Sequence, residues 1–247
     1  SDTEKAKMLF IVQDPYTSYY DAKVVRDFVA LTQKLGFSPI LLPFKPNGKA
    51  MHIKGFLARF SKTAKTQAEF LNRVAKLNVP LVGVDPAIVL SYRDEYKEAL
   101  GDSRGDFHVL TAHEWLTNQL ESNSLQSAVK NIAKSDRTFE WHLFPHCTES
   151  TFMPNSPKEW QHIFAQFGQT LKVEKVGCCG MAGVFGHEFQ NQTMSKDIYD
   201  VSWGKKLQGK DLNHCLATGY SCRSQVKRYE KAILKHPIQA LLEVLNS

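Results

Sequence analysis

Cysteine is missing from the first 146 residues of this chain, yet five cysteines occupy the remaining 101. An odd, one-sided set is not the even framework of a small disulfide-stapled secreted domain, so reduced thiols serving metal or redox chemistry are expected. No stretch approaches the ~18 consecutive apolar residues of a membrane helix, and the polar opening residues 1–7 lack the apolar core of a secretory signal. A transmembrane segment is therefore excluded and a cytoplasmic location expected. Long Gly/Ser or Pro tracts are absent as well, which excludes extensive disorder. HExxH, a Ser-His-Asp signature and a phosphate-binding glycine loop are all wanting, so no residue is assigned a catalytic role.

What is present is ordinary for a globular chain: 247 residues, 43% hydrophobic and 23% charged. The net charge of +6 is gathered in two local stretches rather than along a face interleaved with aromatics, which argues against nucleic acid as a partner.

Apolar runs alternate with helical periodicities. Residues 8–14 (MLFIVQD), 39–44 (PILLPF) and 79–84 (VPLVGV) read as buried parallel strands. Between them, 21–35 and 62–77 carry apolar residues at helical spacing. Residues 92–99 read as a further helix, 107–110 as a short strand, and Thr111 with Glu114 as a capping box. An amphipathic helix is expected over 122–136. The alternation restarts at 139–144 (FEWHLF), followed by a helix from Ser156, read as N-cap ahead of Pro157 and Glu159. Strands are expected at 171–176 and 212–217, and helices at 194–203, 221–234 and from Pro237. The fold class is α/β: two pseudo-repeated, doubly wound lobes with mainly parallel sheets, spanning 1–137 and 138–247.

Parallel strands present their C-terminal ends on one edge, where open α/β sheets place ligands. Cys147, the pair Cys178-Cys179 and Cys222 each follow a predicted strand, so they can converge there. Four thiolates in one place call for a cation, either tetrahedral zinc or an iron-sulfur cluster. Adjacent cysteines strain a single tetrahedral zinc, which tilts the reading toward a multinuclear cluster. Gly180 and Gly183 are expected to turn backbone N–H groups toward the sulfurs, and Cys222 stands at a helix mouth with Arg223, Lys227 and Arg228 nearby. Cys215, between His214 and Leu216 in a predicted strand, reads as a buried apolar residue. A redox disulfide at Cys178 or Cys179 is the competing chemistry.

The segments HCTES (146–150), GCCGMAGVFGHE (177–188) and TGYSCRSQVKR (218–228) resemble the cysteine-rich CCG domain of iron-sulfur oxidoreductase subunits. Such domains occur in glycolate oxidase, anaerobic glycerol-3-phosphate dehydrogenase and heterodisulfide reductase. The first half, with VQDPY (12–16) and VDPAIVLSYRDEY (84–96), resembles the other repeat of that family with its cysteines lost. The nearest resemblance is to the C-terminal region of large bacterial FAD-linked 2-hydroxyacid dehydrogenases of the D-2-hydroxyglutarate type. It implies a C-terminal fragment, inactive alone, whose parent holds FAD and further 4Fe-4S clusters in flavin and ferredoxin-like domains, cytoplasmic or peripheral at the inner membrane. It also implies metal ligation by Cys147, Cys178, Cys179 and Cys222. The family pattern ends in Cys-x-x-Cys, and Gly219 stands at the first of those positions, leaving His146 or His187 as candidate fifth ligands. A thiol/disulfide module of heterodisulfide-reductase type and a zinc-stabilised interaction domain are the alternatives.

Two further features are weighed. Lys45, Lys49, Lys54, Arg59, Lys62 and Lys65 form a basic stretch without a carboxylate, expected in a loop, which reads as a solvated surface or a receiver of acidic groups. The run Tyr92-Arg93-Asp94-Glu95-Tyr96 reads as caps and surface pairs rather than acid-base machinery.

Overall fold

The computed structural model describes residues 2–122, 124–125 and 138–246. It is a mixed α/β protein with two all-parallel sheets, as the alternation predicts. The chain forms two compact units, Ser1–Trp115 and Leu116–Ser247. Most of the helix expected over 122–136 lies outside the described residues, as does residue 137, at which the first lobe was expected to end.

In the first unit, β1 (Met8–Val12) leads through α1 (Pro15–Tyr19) and α2 (Ala22–Lys34) to β2 (Ser38–Leu41). Then come α3 (Leu57–Ala75), β3 (Leu81–Gly83), α4 (Pro86–Arg93), α5 (Glu95–Leu100) and β4 (Val109–Thr111), and α6 (Ala112–Glu121) begins in this unit and ends in the next. The strand order is β2-β1-β3-β4. Helix α3 buries Phe60, Ala64, Ala68 and Leu71, a spacing of four, four and three that keeps one face on the core. It begins five residues before its expected start, so the basic stretch is largely helical rather than a loop. Lys49 pairs with Glu95, while Lys45 and Arg59 lie over the rings of Phe70 and Phe56. Strand β2 is also less buried than its apolar run suggests, because it is the sheet edge; Ile40 and Leu41 are exposed. The expected capping box is present: Thr111 N–H donates to Glu114 Oε2 at 2.8 Å, and Glu114 N–H points back at Thr111 Oγ1 at 3.4 Å.

In the second unit, β5 (Glu140–Phe144) is followed by α7 (Cys147–Phe152), α8 (Ser156–Gln166) and β6 (Thr170–Val173). A long loop then leads to α9 (Gln192–Tyr199), β7 (Cys215–Ala217), α10 (Tyr220–Glu230) and α11 (Pro237–Val244). The order is β6-β5-β7, with the first strand central as in the other sheet. A π-helical turn, Asp200–Gly204, extends α9 and buries Trp203. Ser156 is not the cap of α8: that position falls to Asn155, and the Ser156 hydroxyl is turned to Glu149.

Candidate thiol site

Cys147 opens α7, and its predecessor His146 is the N-cap, with Nδ1 accepting from Thr148 N–H at 3.2 Å. The His146 N–H donates to Thr218 Oγ1 at 2.9 Å, fastening the end of β5 to the end of β7. The Thr218 hydroxyl in turn donates to Glu149 Oε2, and Ser156 Oγ donates to Glu149 Oε1. Glu149 is only 1% exposed. Both carboxyl oxygens are thus supplied with donors, as a polar group at that depth requires.

The Cys178-Cys179-Gly180 loop does not follow its strand immediately, because β6 stops at Val173. It is held by neighbours on the α9 side instead. Gly177 N–H donates to Ser202 Oγ at 2.8 Å, and Trp203 Nε1 donates to Gly177 O at 3.1 Å. Ser195 Oγ donates to Gly180 O at 2.7 Å and accepts from Gln225 Nε2 at 2.7 Å. Gly180 has φ +83°, and a Cβ there would lie 2.1 Å from Ser195 O, so both conformation and space demand glycine.

This framework brings all four expected thiols together as a chain of neighbours, Cys147 to Cys178 to Cys179 to Cys222. Cys178 takes hydrogen bonds from the Cys147 and Cys179 thiols and from backbone N–H groups, Gly180 at 3.3 Å and Ala182. Those donors hold its thiol far below the ordinary range. Cys147 is pushed up by serving as donor to Cys178, then by burial and by the neighbouring Cys222. Cys179 is pushed up by its bonds to Cys178 and Cys222 and by burial. Of the two glycines expected to aim N–H groups at sulfur, Gly180 does so; Gly183 has φ +68°, and the second donor comes from Ala182.

Cys215 stays apart, fully buried in β7, with burial raising its thiol to about 12. Cys179 and Cys222 also belong to the apolar core beside Phe144, Tyr199 and Trp203, so that half of the chain of thiols is dry. Cys147 and Cys178 are half-buried. Among the described residues, no three His, Cys, Asp or Glu side chains already surround a common point suited to a metal ion.

Two of the three expected positive charges, Arg223 and Arg228, are engaged elsewhere. Arg223 Nη1 donates to the carbonyls of Ala217 and Thr218, while Arg228 reaches Gly186 O and His187. His187 is kept below its usual value by burial and by Arg228. Gly219 is tightly confined: a Cβ there would meet His146 Cδ2 at 2.2 Å. Glu149, Thr218, Ser195 and Gln225 escaped the sequence reading, although Glu149 lies within HCTES and Thr218 within TGYSC.

No family model matches the chain. Curated relatives do. D-2-hydroxyglutarate dehydrogenase of Haemophilus influenzae is 80% identical over 246 residues, 100% of this chain and 24% of the relative. The enzyme of that name from Escherichia coli K12 is 57% identical over 243 residues, 98% of this chain and 23% of its own length. One subunit of the anaerobic glycerol-3-phosphate dehydrogenase of Escherichia coli K12 is 22% identical over 234 residues, 93% of this chain and 57% of its own length. The chain thus spans about a quarter of the length of the dehydrogenases it matches at high identity.

Proposed function

We propose that this chain is the thiolate metal-binding module of a larger FAD-linked D-2-hydroxyglutarate dehydrogenase, with an iron-sulfur centre held by Cys147, Cys178, Cys179 and Cys222. The observation that carries this reading is the convergence of four thiols, supplied by three segments, on one framework of buried hydrogen bonds. The donor set suits the group: four soft sulfur ligands, with backbone N–H groups aimed at Cys178. High identity along the chain to enzymes named D-2-hydroxyglutarate dehydrogenase supports the parent activity.

An iron-sulfur centre bound here would accept and release single electrons. The chain's own residues fix where that happens. Glu149 and Thr218 hold the segment bearing Cys147 against β7, Ser195 and Gln225 hold Gly180, and the core around Cys179 and Cys222 excludes water from one side. Burial and N–H donation to sulfur are the usual protein levers on a cluster's potential. Substrate oxidation at flavin belongs to the rest of the parent protein.

The contact between Cys147 and Cys178, whose thiol its donors hold low, favours a second reading, a dithiol/disulfide pair. One experiment separates the two, and both from zinc. The intact parent protein is purified anaerobically and analysed for iron, acid-labile sulfide and zinc, alongside Cys178→Ser. Loss of one cluster's worth of iron and sulfide in the variant supports the proposal. Zinc alone, or no metal with a Cys147–Cys178 disulfide after oxidation, overturns it.

A further inference from the structure

The basic stretch of the first unit plays no part in the thiol site. Residues 28–68 hold seven Lys and Arg and no Asp or Glu. Four of these cations, Lys54, Arg59, Lys62 and Lys65, are exposed around the start of α3. A short helix, Lys49–Ile53, ends at Lys54, and Gly55 at φ +74° turns the chain into α3. Phe56 and Leu57 follow at once, and they remain 55% and 58% exposed. The Arg59 guanidinium lies 5.7 Å from the centroid of the Phe56 ring, so cation and apolar surface share one spot. Phe60, one turn on, is 1% exposed and its ring lies 4.8 Å from that of His52, which fixes the projecting turn to the core.

Few acids stand near this turn. Glu95 is paired with Lys49, and Glu98 joins His52, Leu57 and Phe60 around a cavity of about 260 Å³. Single exposed apolar residues are ordinary, but two large ones in succession between cations are not required by the fold. A lipid headgroup layer suits the whole set. Aromatic and aliphatic side chains enter its acyl boundary while Lys and Arg stay at the phosphates, their stems covering apolar surface. An acidic protein surface would take the cations alone, and Lys is depleted from the interfaces that proteins form with one another. Among the described residues, no helix is long and apolar enough to cross a membrane, so the contact at issue is one of surfaces.

We infer that the turn at 54–59 and the first half of α3 dock on an anionic bilayer surface, with Phe56 and Leu57 at the acyl boundary and Lys54, Arg59, Lys62 and Lys65 on lipid phosphates. Along α3, Lys62 and Lys65 lie on the side away from the buried Phe60, Ala64 and Ala68, so they face outward with the turn. Both parts of the surface contribute: charge draws the chain to the headgroups and is screened by salt, and apolar insertion holds it there. The inference is independent of the thiol-site proposal, since every residue it uses belongs to the cysteine-free first unit.

The test is co-sedimentation of the full chain with vesicles of phosphatidylcholine, alone or with about 30% phosphatidylglycerol. In about 0.1 M salt the chain partitions at least ~10-fold more strongly onto the anionic vesicles, and most of that preference is gone in about 0.5 M salt. Phe56→Ser combined with Leu57→Ser, both at exposed positions, lowers binding to anionic vesicles at least ~10-fold while thermal unfolding stays as in wild type. Lys54→Glu combined with Arg59→Glu removes the preference for anionic vesicles. Lys205→Glu combined with Lys206→Glu, exposed on the other unit, leaves it unchanged. Absence of binding by wild type, equal partition onto both vesicles, or binding that survives the loss of Phe56 and Leu57 overturns the inference. So does a reversal of charge at Lys54 and Arg59 that leaves vesicle binding intact but releases a protein from the intact parent, which would make this surface a receiver of acidic protein groups.

Discussion

Gly219 lies so close against the His146 ring that any side chain at 219 would overlap it, with a Cβ only 2.2 Å from Cδ2. The position where the resemblance would have a further cysteine is filled by imidazole. His146 is fixed there from both ends, by the Thr148 N–H on Nδ1 and by its own N–H on Thr218. The thiol set of this site is therefore limited to four by sterics as well as by sequence.

Gly219→Ala should destabilise the chain by about 3 kcal/mol, the upper range for forcing atoms into a packed site. Replacing His146 by Ala in the same chain should recover at least ~1 kcal/mol of that cost, because the obstacle is gone. A double-mutant cycle by urea denaturation measures the coupling. Additive effects would show that the backbone, not the ring, sets the requirement for glycine.

Glu149 accepts hydrogen bonds from two hydroxyls that have few other options at that depth. Glu149→Gln replaces one acceptor by a donor and should cost about 2–3 kcal/mol. Because Thr218 also steadies the His146 backbone beside Cys147, the variant should bind metal more weakly at a temperature where it remains folded. Urea unfolding and competition with a chelator read the two effects separately, and unchanged values in both would refute the framework role.

The depressed Cys178 thiol keeps its thiolate as pH falls, whereas Cys147 and Cys179 are raised and stay protonated. In metal-free protein at pH 6, iodoacetamide should therefore modify Cys178 first. Cys215, buried with its thiol raised to about 12, should react only on unfolding. Peptide mapping by mass spectrometry identifies the labelled sites. Equal labelling of Cys147 and Cys178 would contradict the charge distribution.

Asp14 predicts an opposite pH dependence from that of a salt-bridged acid. Burial, then Asp85, raises its folded value from 3.8 to about 6, so folding takes up a proton between those limits. This contribution favours the fold most below pH 3.8 and is lost as pH rises through 6, by about 3 kcal/mol. Asp14→Asn should lack that decline when urea midpoints are compared across pH 4 to 7.

The sequence by itself determined the alternation of parallel strands and helices, because apolar periodicity and capping are local. Thr111 with Glu114 and Pro237 at a helix start were legible for the same reason. It also separated the vicinal pair Cys178-Cys179 from the lone, strand-bound Cys215. The tertiary structure alone decided the rest. Ser156 reads as a helix cap, yet its hydroxyl goes to Glu149, since satisfying a buried carboxylate outweighs one capping bond. Thr218 meets Glu149 across 69 positions, and Gln225 meets Ser195 across 30, distances over which no periodicity carries information. Likewise, Asp14 and Asp85 each look like ordinary helix caps in sequence. Only the pairing of β1 with β3 brings the two together and makes their charges interact.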